Sequence, residues 1–415
     1  MAKKKQDLSP EERLAAALVP EEEWPYALPD GWKWVRIGKI FIDVTDSQKK
    51  IKQKEYLLKG KWPVIDQGQH FIGGYSDADE LIYTDKLPVI IFGDHTRNVK
   101  YIDFQFIQGA DGVKVLKPQS FVYSKFLFWL LKGIPFPSLG YRRHYPVLKK
   151  MVAPLPPLDE QQRLVARIES LFTKLDAAKE QAQSVLDSHE TRKAALLHDA
   201  FAGKLTAKWR EEQGLPEKIY KTVPLNQVCD SIFDGDHMPP PKSNSGIPFL
   251  VIANVNKGKL NFTGTRFVPQ DYYESLTDTR KPQNGDVLYT LVGTYGIPVL
   301  VDTDEKFCFQ RHMALLKPNK SSILQKYLWY TLQEKDFYQK ATKIAKGTAQ
   351  LTVPIKGLRQ LTIPLPSLPE QQEIVRILDR LLAREQRARQ AAEETLAAID
   401  RMKQSILARA FRGEL

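Results

Sequence analysis

Cysteine is almost missing from this chain: Cys229 and Cys308 are the two in 415 residues. So few, so far apart, they provide neither a disulfide framework nor a CxxC metal pair, and they point to a reducing compartment with two buried thiols. Long apolar runs are missing too. Nothing in the chain has membrane-spanning length, and the basic start MAKKKQDLSPEERLAAALVPEEEW lacks the apolar core of a signal peptide, so the expected location is the cytoplasm. Signatures of catalysis are equally scarce. There is no GxxxxGK[ST] phosphate loop, no GxGxxG after a strand, no HExxH, no GxSxG and no Asn-Pro-Pro-aromatic segment. His95 and His237 each follow Gly-Asp without a His or Cys at ligand spacing, and Asp234 and Asp236 in FDGDHMPPP read as turn formers. These absences lead to the expectation of a non-catalytic protein with no metal or cofactor of its own.

What the chain does have is a repeat. Pro154–Leu205 and Pro364–Leu415 align without a gap at an offset of 210, with 18 of 52 positions identical, from PLPPLDEQQ and PLPSLPEQQ to AFAGKL and AFRGEL. Each copy starts with prolines, continues with Glu-Gln-Gln and then runs free of Gly and Pro, which is helix-start chemistry before a long helix. Apolar positions step by four and three, as Leu164, Ile168, Leu171, Leu175 in the first copy and Ile374, Leu378, Leu381 in the second, the signature of a coiled coil. About 40 residues at roughly 1.5 Å each make a rod of about 60 Å. Antiparallel pairing about a pseudo-two-fold axis would set the polar His189 and Arg192 opposite Leu381 and Leu378, and Glu385 and Thr395 opposite Val185 and Leu175. Gly203 and Gly413 are expected as left-handed caps.

Charge sorts with this repeat. Residues 24–153 hold 20 Lys+Arg against 12 Asp+Glu, residues 214–363 hold 19 against 13, and the rest sum to −2 within a net +12. Two separate basic surfaces suit a polyanion touched in two places. The basic segments also repeat faintly: Leu116-Lys117-Pro118 precedes Lys125–Leu131 and Leu316-Lys317-Pro318 precedes Lys326–Leu332, each a strand, a turn and a short amphipathic helix. Short β-type runs lie upstream, at Pro88–Gly93, Gly112–Leu116, Asp286–Tyr289 and Pro298–Val301. The fold class expected is α+β, with a twisted, partly barrel-like sheet in each half.

Donor-rich loops precede both proline-rich segments. Tyr141, Arg142, Arg143 and His144 stand in the first, and Lys343, Lys346, Thr348 and Gln350 in the second. Arg reads guanine bidentately, Gln reads adenine, and Lys and Thr contact phosphate, so these are the side chains of a major-groove reader. Arg97, Asn98 and Lys100, with Tyr295 and Arg311, are weaker candidates. Phe126, Trp129, Tyr327 and Trp329 fall at helical spacing and read as core.

Two basic, dissimilar domains, each followed by a PLPxLxEQQ-started helix ending in AFxGxL, resemble the specificity subunit of a type I restriction-modification system over nearly the whole chain. The resemblance implies two target-recognition domains joined by two long antiparallel coiled-coil spacer helices. Boundaries follow as an N-terminal extension over 1–23, a recognition domain over 24–153, the lead-in and helix over 154–205, a linker and second domain over 206–363, and the second lead-in and helix over 364–415. It further implies that each domain reads half of a bipartite double-stranded DNA site and that the helices set the gap and dock two methyltransferase subunits. Those subunits would bring S-adenosylmethionine, and endonuclease subunits would use ATP and Mg. The stretch SPEERLAAALVPEEEWPY, with Ser9 as N-cap, resembles an extension of some members and is expected to touch the partner complex. A coiled-coil scaffold binding acidic partners is the alternative.

Overall fold

A computed structural model describes residues 8–110, 112–137, 142–216, 220–237 and 240–415. The chain divides into two compact units: one is built from residues up to Gln183 with Glu393–Leu415, the other from Ser184–Ala392.

The first unit begins with α1 (Pro10–Ala15), where the Ser9 hydroxyl caps the Glu12 N–H at 3.2 Å and the Glu12 carboxylate returns to the Ser9 N–H at 2.7 Å. The strands follow in order: β1 (Lys33–Arg36), β2 (Phe41–Asp43), β3 (Lys50–Ile51), β4 (Trp62–Ile65), β5 (Gly74–Ser76), β6 (Val89–Gly93), β7 (Val99–Ile102), β8 (Ile107–Gly109) and β9 (Val113–Pro118). Then come α2 (Ser124–Gly133), α3 (Tyr145–Leu148), β10 (Val152–Leu155) and the first part of α4 (Leu158–Phe201). β1 pairs antiparallel with β10, and the chain at Ala17 and Val19 lines its other edge. The half-barrel is made of an antiparallel sheet ordered β2-β9-β6-β7 and a mixed sheet ordered β3-β8-β4-β5. The apolar run of β6 is explained by burial on both faces. Ile90 and Phe92 pack with Phe126, Leu127 and Leu130 of α2, while Val89 and Ile91 pack with Ile65 and Phe106 under the mixed sheet. Each such side chain contributes about 1.5–3 kcal/mol.

The second unit repeats this order. After α5 (Ala207–Glu212) come β11 (Lys221–Pro224), β12 (Cys229–Asp234), β13 (Ile247–Leu250), β14 (Arg266–Val268), α6 (Gln270–Ser275), β15 (Val287–Thr290), β16 (Pro298–Leu300), β17 (Cys308–Phe309) and β18 (Met313–Pro318). α7 (Gln325–Thr331), α8 (Lys335–Ile344), α9 (Ile355–Leu358), β19 (Thr362–Leu365) and α10 (Leu368–Ala410) complete it. β11 pairs with β19 as β1 does with β10, and the sheet β12-β18-β15-β16 matches β2-β9-β6-β7 strand for strand. Ile90 faces Leu116 and Val287 faces Leu316, so the two Leu-Lys-Pro segments hold the same register. Among the described residues three elements have no like counterpart: β3 in the first unit, which the second reduces to a single parallel bridge between Asp236 and Gln310, and the helices α6 and α8 in the second.

The glutamine that follows Glu160 and Glu370 locks each long helix to its domain. Gln161, 1% exposed, accepts the Tyr123 N–H at 2.7 Å and donates to the Phe121 and Pro156 carbonyls at 3.2 and 2.9 Å. Gln371, fully buried, accepts the Leu324 N–H at 2.9 Å and donates to Ser322 and Pro366 at 3.1 and 2.9 Å. The preceding glutamates diverge. Glu370 is buried and accepts from Thr206 (2.7 Å), Arg210 (2.6 Å) and Tyr220 (2.6 Å), whereas Glu160 pairs at the surface with Arg163. At the C-termini Gly203 and Gly413 take φ of +73° and +75°, and the next residues bond back five positions, Lys204 N–H to Asp199 and Glu414 N–H to Arg409, both at 2.9 Å.

Within each unit the long helices pack antiparallel. In the first, Leu164, Ile168 and Phe172 cluster with Leu407, Ala410 and Phe411; in the second, Leu197, Ala200 and Phe201 cluster with Ile374 and Leu378. The facing pairs are not those expected. Arg192 meets Glu385 at 2.7 Å rather than Leu378, and Lys403 meets Asp176. A charge held against leucine loses hydration without a partner, and a slide of seven positions keeps the heptad phase while bringing the charged misfits together.

Candidate nucleic-acid interface

In the first unit three segments converge where β6 ends, and Asp94 ties them. Its N–H donates to the Gly112 carbonyl (2.6 Å), on the connection between β8 and β9. Its carbonyl accepts the His144 N–H (2.8 Å) and lies 3.0 Å from His144 Nδ1, and its Oδ1 accepts the Tyr145 N–H (2.8 Å). The loop before α3 is thereby fastened to the β6–β7 turn. Gln67 secures that turn from the other side: its Oε1 accepts the His95 N–H at 3.1 Å, and its carbonyl accepts Asn98 Nδ2 at 2.9 Å and Thr96 Oγ1 at 2.6 Å. Arg97, at the tip, has φ +60°, a left-handed conformation that non-glycine residues adopt rarely.

The second unit uses the same clasp with a different side chain. Register aligns Leu291 with Asp94; its N–H donates to the His312 carbonyl (2.8 Å) and its carbonyl accepts the Val353 N–H (2.9 Å). Lys346 and Thr352 exchange both backbone bonds at 2.8 Å, closing the chain between them into a tip whose turn Gly347 makes at φ +118°. The Gly293 N–H donates to Leu351 (3.0 Å) and docks the tip on the β15–β16 turn. In that turn Tyr295 stacks on Tyr338 of α8 with centroids 5.6 Å apart and planes 6° apart, and its hydroxyl donates to Thr342 Oγ1 at 3.1 Å. The Tyr338 hydroxyl is held above the ordinary tyrosine range, first by its hydrogen bond with Tyr295 and then by burial.

The nominated residues are therefore gathered by tertiary structure. Arg97, Arg142 and Arg143 stand exposed at the clasp of the first unit, with half-buried Asn98 beside them. His144 is buried beneath, its ring turned to the Asp94 carbonyl, and Lys100 points inward from β7. The Lys100 ammonium donates to the His70 carbonyl at 2.6 Å, with Asp66 at 3.5 Å, and burial lowers its pKa. Tyr141 lies outside the described residues. Lys346, Thr348, Gln350 and Arg311 are exposed around the second clasp, Lys343 lies not in that loop but in the last turn of α8, and Tyr295 is largely covered. Sequence reasoning did not find Asp94, Leu291, Gln67, Tyr338 or Thr342; counting back from the two Leu-Lys-Pro strands was the available signal for the first two. Phe126 and Tyr327 are fully buried. Among the described residues no group of three His, Cys, Asp or Glu is placed to hold a metal ion, and no helix is long and apolar enough to cross a membrane.

A half-barrel followed by a long helix is thus built twice, and the same backbone clasp carries a different cationic loop set in each copy. The chain belongs to the family described as the type I restriction modification DNA specificity domain, which matches residues 29–186 and 217–394. It is 24% identical over 430 aligned residues to the type I restriction enzyme EcoKI specificity subunit of Escherichia coli, covering 94% of this chain and 90% of that protein. It is likewise 24% identical over 393 residues to the MjaVIII specificity subunit of Methanocaldococcus jannaschii, covering 88% and 90%. The HsdS subunit from Thermoanaerobacter tengcongensis shares the fold, with a TM-score of 0.62 at 22% identity over 95% of this chain and 100% of that structure.

Proposed function

We propose that this chain is the DNA-reading subunit of a type I restriction-modification complex and catalyses nothing itself. Each recognition domain, 24–153 and 206–363, reads one half of a bipartite site in duplex DNA. The long helices set the gap between half-sites and dock two methyltransferase subunits; S-adenosylmethionine, ATP and Mg serve those subunits and the endonuclease subunits. The N-terminal extension, whose Ala17 and Val19 complete the edge of β1, touches the partner complex. One observation carries the reading: the clasp at Asp94 and Leu291 presents exposed Arg97, Arg142 and Arg143 in one domain and Lys346, Thr348 and Gln350 in the other. A shared frame with unlike donors is what two unlike half-sites require. Buried His144, Lys100 and Tyr295 act as supports for the reading side chains, and Arg311 and Lys343 contact phosphate.

Mapping methylated adenines in cells that carry the complex tests this. Arg142→Ala or Arg143→Ala relaxes the first half-site alone, by about 1–3 kcal/mol per lost base contact, and Gln350→Ala relaxes the other alone. Loss at both half-sites from one loop variant, or at neither, overturns the assignment.

A further inference from the structure

We infer that the lysine-rich edge of the first unit, residues 49–61, grips the phosphate backbone beside the half-site which that unit reads; the inference rests on the function proposed above. This segment holds six lysines against one acid, Glu55, a net +5 that makes up most of the domain's +8. Lys61 is held by Asp79 at 2.8 Å and Lys49 reaches the Ile82 carbonyl at 3.5 Å. Lys52, Lys54 and Lys59 are exposed and form no ion pair among the described residues, so their charge is available to a ligand.

Placement points the same way. β3 ends at Ile51, whose carbonyl accepts the Ala110 N–H at 2.7 Å, and two residues on Gly112 holds Asp94. Lys52 and Lys54 therefore leave the sheet at the end where Arg97, Arg142 and Arg143 are presented. The fold does not require the lysines: at the place of β3 the second unit keeps only a single parallel bridge, Asp236 to Gln310, and the HMPPPKSNSG segment that follows holds one lysine. Residue type settles what is gripped. All six cations are lysines, point charges on flexible stems that suit phosphate, and none is arginine, whose planar fork reads guanine. Exposed Leu57 and Leu58 on the same segment would suit a protein partner, but the free charges of Lys52 and Lys54, which leave the sheet on the side of the DNA-reading loops, favour the polyanion.

The test measures binding of the full chain, assembled with its methyltransferase subunits, to duplexes with and without the mapped site over a series of salt concentrations. Lys52→Gln/Lys54→Gln makes the log–log salt slope shallower by about 1.8, at about 0.9 per phosphate contact. The ratio of specific to non-specific binding and the methylation map stay as in wild type, and the matching double Lys→Arg variant restores the slope. An unchanged slope overturns the inference, as does a change in either half-site; an unchanged slope with lost assembly assigns the edge to a protein partner. If the wild-type complex shows no site preference at all, it is the proposed function that fails.

Discussion

Gln161 and Gln162 are adjacent, identical in type and present in both repeats, yet the structure gives them unequal weight. Gln161→Ala strands the Tyr123 N–H and the carbonyls of Phe121 and Pro156, the last buried and the first two half-buried, whose partners were 2.7, 3.2 and 2.9 Å away. At about 1 kcal/mol net for each lost bond the variant is destabilised by roughly 3 kcal/mol, and more where the stranded groups stay dry. For a unit of roughly 200 residues, at about 2–4 °C per kcal/mol, the melting transition falls by about 6–12 °C. Gln162 is exposed, so Gln162→Ala stays within about 0.5 kcal/mol of wild type. Gln161→Glu costs at least as much as the alanine, because it keeps the acceptor for Tyr123 but turns a carboxylate towards two carbonyls. Differential scanning calorimetry of the full chain reads all three, and the pair Gln371→Ala and Gln372→Ala repeats the contrast in the second unit, where Gln372 is exposed. Equal losses from the two neighbouring alanines, or none from Gln161→Ala, would refute the clamp.

The Arg192–Glu385 pair should behave as a matched misfit: each single leucine variant destabilises by about 1–2 kcal/mol, while the double leucine variant is neutral or stabilising by urea denaturation. A double variant no better than the worse single would contradict that. Burial pushes the thiols of Cys229 and Cys308 up to about 12, so a disulfide reagent at pH 8 titrates no thiol in the native chain and two per chain after denaturation; a fast native thiol would contradict their placement.

Much of this architecture is legible in residue order because it is governed by local chemistry. The strand runs appear as β6, β9, β15 and β16, and the Gly203 and Gly413 caps and the Ser9 cap stand where they were expected. The seam was legible in phase but not in register, since heptad periodicity is satisfied equally by any slide of seven, and cross-helix pairs such as Arg192–Glu385 and Lys403–Asp176 select one. The loops were legible as cationic but not as assembled: Asp94 is an unremarkable turn aspartate in sequence, and Leu291 offers no side-chain signal for a clasp built from backbone.

What the sequence determined by itself was therefore the duplication, the long helices, the α+β class and the family, because periodicity, capping and a 52-residue repeat are properties of neighbours along the chain. Tertiary structure alone decided which of the nominated donors are exposed, which are buried supports, and that the same strand end carries both loop sets. Those outcomes depend on burial and on hydrogen bonds between residues dozens of positions apart, such as Asp94 with His144 and Leu291 with Val353, which no local pattern encodes.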